Sequence, residues 1–139
     1  MAETAAWPRG VIHFPEGIPG FEGLREFVLL QDEELLPIVF LSSLGEPKVC
    51  FPVLPIQNIE REYRLHLGEE DRRVLGLSEG PAAEPASDEQ LLCLAILNLG
   101  DGSRPPSANL FAPIIINLAN WTAKQVIQVE SSYPAALEV

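Results

Sequence analysis

Every apolar run in this chain is short, and each is closed by turn residues. Eight segments of strand length stand out: Val11–Phe14, Glu26–Gln31, Ile38–Ser42, Val49–Leu54, Glu62–Leu67, Leu91–Asn98, Leu110–Asn117 and Lys124–Glu130. Short runs punctuated by glycine and proline form strands, and this spacing predicts an all-β barrel or sandwich. "EYRLHL" carries the clearest pattern. Tyr63, Leu65 and Leu67 fall on one face and Glu62, Arg64 and His66 on the other, the period of a half-buried strand. "LLCLAILN" and "FAPIIIN" are apolar on both faces, as in strands covered on both sides. Pro52 lacks a ladder donor, so its segment is expected to be an edge strand or bulged; Pro113 implies the same for the start of its own strand.

One short helix is expected over Glu69–Gly76. Glu69, Glu70 and Asp71 open it, Arg72 and Arg73 follow, and Gly76 ends it, an order that suits the helix dipole. Ser78–Gln90 is small, acidic and proline-rich and reads as an exposed, mobile loop. Gly100–Asn109 reads as a hairpin loop, and "LANWTAK" as a hairpin turn with asparagine supplying the turn geometry.

A length of 139 residues implies one domain, 1–139. The formal net charge is −11 and the nine basic residues are scattered. That argues strongly against recognition of nucleic acid through its phosphates and against attachment to an anionic membrane. It is compatible with a basic protein partner approached by long-range steering, and equally with a charge that simply keeps the chain soluble. The longest apolar run, Leu91–Leu97, is far below the ~20 residues of a membrane helix. The amino terminus carries Glu3 and no apolar core of a signal peptide, so the expected location is cytoplasmic. Asn120–Thr122 matches a glycosylation acceptor, which has no use there. Cys50 and Cys93 lie in apolar runs and read as buried, reduced thiols. No CxxC and no His/Cys cluster suggests a metal.

Catalytic patterns are thin. His13 and His66 read as strand histidines, and no GxSxG, GxGxxG or GxxxxGK is present. None of these residues by itself marks an active site or a cofactor site. Two segments mix polar and apolar residues unusually. "FPEGIPGFEGLREFVLL" crowds Gly17, Gly20, Gly23, Pro15 and Pro19 between aromatics, which predicts an ordered chain reversal between two strands. "SANLFAPIIINLANWTAKQVIQVESSYP" sets the amides Asn109, Asn117 and Gln125 among apolar residues. Buried amides need partners. They either bridge neighbouring backbone, mark a sheet edge that binds a peptide by strand addition, or supply the polar groups of a ligand-binding barrel or small enzyme.

The first of these segments resembles the amino-terminal signature of the flagellar assembly factor FliW family, matched at Gly17, Ile18, Pro19, Gly20, Phe21 and Glu22. The second resembles the same family's carboxy-terminal signature, matched at Asn109, Ala112, Pro113, Ile114, Ile116 and Asn117, then Gln125 and Tyr133. "LGEPKVCFPVLP", "YRLHL" and "VLGL" fall between them in the family's order, so the resemblance covers nearly the whole chain. It implies a small, mostly β, barrel-like antiparallel fold with one short helix, and a non-enzymatic role. Such proteins bind flagellin in the cytoplasm and bind and antagonise the translational regulator CsrA. Most of the matched residues are expected to shape the fold, with Phe21 anchoring the reversal against the core. Departures are Ser42 where the family has Gln, "PAALEV" after Tyr133 where a basic residue is common, and longer loops at Ser78–Gln90 and Gly100–Asn109. The expected partner contacts are Glu69, Glu70 and Asp71, whose charge suits a basic partner, and Asn117 with its turn.

Overall fold

The computed structural model describes residues 10–77, 90–129 and 131–139. In chain order the elements are β1 (Ile12–His13), β2 (Glu26–Gln31), β3 (Val39–Ser43), β4 (Cys50–Pro55), a 3₁₀ turn (Ile56–Asn58), α1 (Glu69–Leu75), β5 (Leu91–Asn98), β6 (Ser107–Asn117), β7 (Thr122–Gln125) and β8 (Leu137–Glu138). The strand order is β5-β4-β3-β2-β1-β7-β6-β8, and β5 also pairs with β6, so β1 to β7 close into a barrel. All pairings are antiparallel except β1 with β7, where His13 lies opposite Thr122. Closure leaves no edge along most of the sheet, which is how a small β domain avoids unpaired main chain. The expected loop at Ser78–Gln90 lies outside the described residues but for Gln90.

Two cores explain the two doubly apolar strands. Phe14, Phe27, Leu41, Val53, Leu94, Ile114 and Ile116 fill the barrel interior. Ala95, Leu110 and Ile115 face outward, onto a second cluster built with Ile56, Tyr63, Leu65, Leu67 and Leu75. Successive side chains of β5 and β6 thus alternate between the two cores. The outer one is covered by the excursion of residues 56–77.

That excursion corrects one expectation. Tyr63, Leu65 and Leu67 are buried and Glu62 and Arg64 exposed, as the alternation requires. Yet Glu62–Leu67 is no strand of the sheet. Beyond a single β-bridge at His66, the side chain of Gln128 takes a strand's place. His66 N–H donates to Gln128 Oε1 at 2.8 Å, and Gln128 Nε2 donates to the His66 carbonyl at 2.9 Å. Tyr133 closes the same clasp. Its ring stacks on Tyr63 with centroids 4.2 Å apart, and its hydroxyl accepts from the Arg64 N–H at 2.9 Å.

The opening stretch is a reversal between the antiparallel strands β1 and β2, as expected. Its anchors differ. Phe14 and Ile18 are buried, whereas Phe21 is 39% exposed and packs its ring edge-on against Phe51, centroids 5.6 Å apart. Glu22 shapes the loop locally by accepting the Gly20 N–H at 3.1 Å, a bond that holds its carboxyl below the usual range.

The prolines act differently from one another. β4 lies between β3 and β5, but β5 pairs only with Val53–Pro55, so β4 is interior there and runs along an interrupted seam at Pro52. Pro113 sits within a bulge rather than at the start of β6. Leu94 pairs with Ile114 and Ile96 with Asn109, so residues 110–113 of β6 loop out opposite Ala95.

The cysteines also depart from expectation. Both are free, but Cys50 is exposed and Cys93 only partly buried. Burial pushes the Cys93 thiol up to about 12. Iodoacetamide at neutral pH is therefore expected to modify Cys50 and spare Cys93 until the protein is unfolded. Mass spectrometry checks this by one adduct in native buffer and two in denaturant. Equal rates at both sites would contradict the packing of β5.

Candidate partner-binding site

The two halves of the chain meet at one end of the barrel. β1 runs beside β7, and the His13 N–H donates to the Trp121 carbonyl at 2.8 Å. Lys124 lies in β7 beside the opening reversal and α1. Its Nζ is 3.1 Å from Glu16 Oε1 and 3.2 Å from Asp71 Oδ1. Burial works against the Lys124 ammonium, but hydrogen bonds to the Glu16 and Asp71 carboxylates outweigh it and hold its pKa above the usual lysine range.

The acids of α1 separate into two kinds. Asp71 turns inward: besides meeting Lys124, its Oδ2 accepts the Gly68 N–H at 3.0 Å and so caps the helix. Glu69 and Glu70 are exposed. Glu70 is paired with Arg73 one turn on, and that bond keeps its carboxyl below the usual range. Gly76 ends the helix in a left-handed conformation with φ 75°, as the sequence suggested.

Asn117 is 2% exposed, so its side chain is closed to a partner. Its Nδ2 donates to the Leu75 carbonyl at 2.8 Å and its Oδ1 accepts the Ala119 N–H at 2.9 Å. Asn120 adds a second bond to Leu75 O at 3.1 Å and accepts the Thr122 N–H at 3.0 Å. These amides tie the β6–β7 turn to the carboxyl end of α1, where the last carbonyls of a helix lack internal partners. The left-handed residue of this turn is Trp121, at φ 61°.

The other amides serve the bulge in β6. Asn109 Oδ1 accepts the Phe111 and Ala112 N–H groups at 2.9 and 3.0 Å. Gln125 Nε2 donates to the Ala112 carbonyl at 3.0 Å. Asn109 and Gln125 thus converge on one stretch of backbone, and Asn117 lies at the far end of the same strand. Ala112, Ile114 and Ile116 are buried packing residues, and Gly17, Pro19 and Gly20 belong to the reversal. The residue that the sequence reading passed over is Gln128. Its polar side chain at a buried position, in the alternation Val126, Ile127, Gln128, Val129, was the available signal.

Among the described residues, no group of three or more His, Cys, Asp and Glu side chains is placed to hold a metal ion. Among the same residues, no helix is long and apolar enough to cross a membrane.

Comparison with known proteins decides the family. The family model described as "FliW protein" matches residues 1–139. This chain belongs to the FliW family. The flagellar assembly factor FliW of Pseudothermotoga lettingae is 37% identical over 124 residues, 88% of this chain and 74% of that protein. The flagellar assembly factor FliW of Carboxydothermus hydrogenoformans is 30% identical over 134 residues, 96% of this chain and 81% of that protein. A crystal structure of the flagellar assembly factor FliW superimposes with a TM-score of 0.79 at 28% identity, covering 92% of this chain and 84% of that one. The seven-stranded barrel with one short helix is therefore the family's fold.

Proposed function

We propose that this chain, acting as a single domain, binds flagellin in the cytoplasm and binds and antagonises the translational regulator CsrA, without catalysing a reaction. The family match along residues 1–139 carries this reading. The −11 charge supports it, because an acidic protein does not compete for RNA and is attracted to a basic regulator. Flagellin and CsrA then exchange on the chain, so that flagellin leaving the cell frees the factor to sequester CsrA.

The end of the barrel bearing α1 is the proposed CsrA surface. Glu69 and Glu70 present the charge; Asp71 and Asn117 position it, the first through the cap and Lys124, the second through Leu75. Because Asp71 and Asn117 hold the fold, the informative variant changes only the outer acids. Glu69→Lys with Glu70→Lys is expected to weaken CsrA binding about tenfold, since exposed ion pairs contribute ~0.2–1 kcal/mol each and each reversal also adds repulsion. Calorimetric titration measures it. Unchanged affinity, in a variant with unchanged melting, would remove this surface.

Titration with purified CsrA and with flagellin tests the function itself. Saturable binding of both, with one displacing the other, is the expected result. Binding of flagellin alone would leave an assembly role and discard the regulatory half.

A further inference from the structure

A cleft at the far end of the β5–β6 hairpin follows from a single residue, Pro52. The Ser43 N–H donates to the Val49 carbonyl at 3.0 Å. In register with it, Leu41 lies opposite Phe51 and Val39 opposite Val53. Main-chain groups alternate in direction along a strand, so Phe51 and Val53 bond to β3, and the nitrogen of Pro52 faces β5. The β4–β5 register, Leu54 with Ala95 and Val53 with Ile96, would next bring Pro52 opposite Leu97. Pro52 has no N–H to give Leu97. The ladder ends there, while β5 runs on to Asn98 paired with β6 alone, Leu97 with Ala108 and Asn98 with Ser107.

The Leu97 N–H still reaches the Pro52 carbonyl, the bond that sets Val53 opposite Ile96, so the β4-facing edge of β5 is open only beyond it, from the Leu97 carbonyl onward. The cleft lies along it, lined by Pro52, Leu97, Leu99, Asn109, Ala135 and Ala136. It joins a second cleft through Asn98, Ser107 and Ala136, whose rim carries Asp101, Glu138 and Arg104. Leu99 is 50% exposed beside the open edge.

We propose that this cleft receives an extended, lysine- or arginine-bearing segment of a partner protein, added as a strand to β5 at Leu97–Leu99. An open edge offers main-chain groups at strand spacing, which an extended chain satisfies and a helix does not. The occupant is not a second copy, because chains carrying −11 repel one another. Two carboxylates against one guanidinium at the rim favour a basic segment. The proposal rests on the protein-binding role above, and names the form of chain that is bound.

The variants are Pro52→Val, which supplies the missing donor and closes the seam, and Ala136→Trp, which fills the cleft from its other wall. The probes are flagellin, CsrA and an acetylated hexapeptide of alternating lysine and valine. Amide hydrogen exchange at Leu99 is read with each. At least one probe is expected to slow exchange at Leu99, and each variant to weaken that probe tenfold or more. Pro52→Val is expected to melt within about 3 °C of the parent, since the gained hydrogen bond offsets the lost stiffness of proline. If Pro52→Val does not fold, Ala136→Trp carries the comparison. Flagellin or CsrA binding both variants as tightly as the parent, with Leu99 unaffected, overturns the cleft and leaves the proposed function standing. Failure of both proteins to bind the parent, with the hexapeptide still slowing Leu99, does the reverse. No probe slowing Leu99 overturns the cleft outright.

Discussion

Gln128→Ala is expected to lower stability by about 3 kcal/mol, the sum of two lost hydrogen bonds and the desolvation of the groups they leave behind. The side chain is 1% exposed and bonds both main-chain groups of His66. Alanine would orphan that N–H and that carbonyl beneath the 56–77 excursion and would unseat the cover of the outer core. For a chain of this size the loss corresponds to roughly 10 °C in melting temperature. Thermal unfolding followed by circular dichroism measures it. Gln128→Glu separates the hydrogen bonds from the volume. The carboxylate still accepts from His66 N–H, but at neutral pH it has no proton for the His66 carbonyl. A carboxyl that bonds best when protonated has its folded pKa raised, so its contribution is present below the unfolded pKa and lost as pH rises. The Glu variant is therefore expected to regain stability, relative to the parent, as pH falls toward the carboxyl range. Melting of Gln128→Ala within 2 °C of the parent, a threshold set against the roughly 10 °C expected, would show that packing alone holds the excursion.

Gly17→Ala is the second large effect. Gly17 has φ +70°, and a Cβ there would lie 2.6 Å from both the Cα and the carbonyl oxygen of Glu22. Both are backbone atoms of the reversal, so no side-chain rotation relieves the clash. The combined cost of the left-handed conformation and the clash is about 3 kcal/mol. Gly20 provides the comparison. Its φ is +91° and a Cβ would meet nothing within 4 Å, so Gly20→Ala costs only the backbone strain, about 1 kcal/mol. Urea midpoints of the two variants give the difference. Equal midpoints would mean that the reversal opens without cost at Glu22.

Much of this fold is written locally. Leu91–Asn98 forms the strand its residues imply, with the same bounds, and its apolarity on both faces matches the two cores it separates. α1 covers Glu69–Leu75 because the acid-then-base order and the closing glycine act within one or two turns. The reversal at Gly17–Gly20 is likewise a matter of φ angles that only neighbours constrain. The residues 62–67 mark the boundary. Their alternation reported which side chains are buried, and that was right; it did not report what pairs with their main chain. Cys50 marks it too: an apolar run says nothing about which of its residues turns outward.

The candidate site was legible in its composition and not in its geometry. The acids of α1 could be read as a charged patch. That Asp71 turns inward to Lys124, and that Asn117 is buried against Leu75, depends on partners 53 and 42 residues away. The sequence by itself determined most of the strands, the helix, the opening reversal and the sign of the net charge, because those follow from interactions between near neighbours and from counting; it misplaced the strand Lys124–Glu130, found at Thr122–Gln125, and missed Leu137–Glu138. The missing donor of Pro52 already marked an interruption in its strand, whereas tertiary structure alone decided the closure of β5 on β6, the parallel contact of β1 with β7 and the bonding of the Gln128 side chain to the main chain of His66. Each of these depends on which main-chain groups find donors and acceptors across the fold, and local periodicity is the same whichever partner they find.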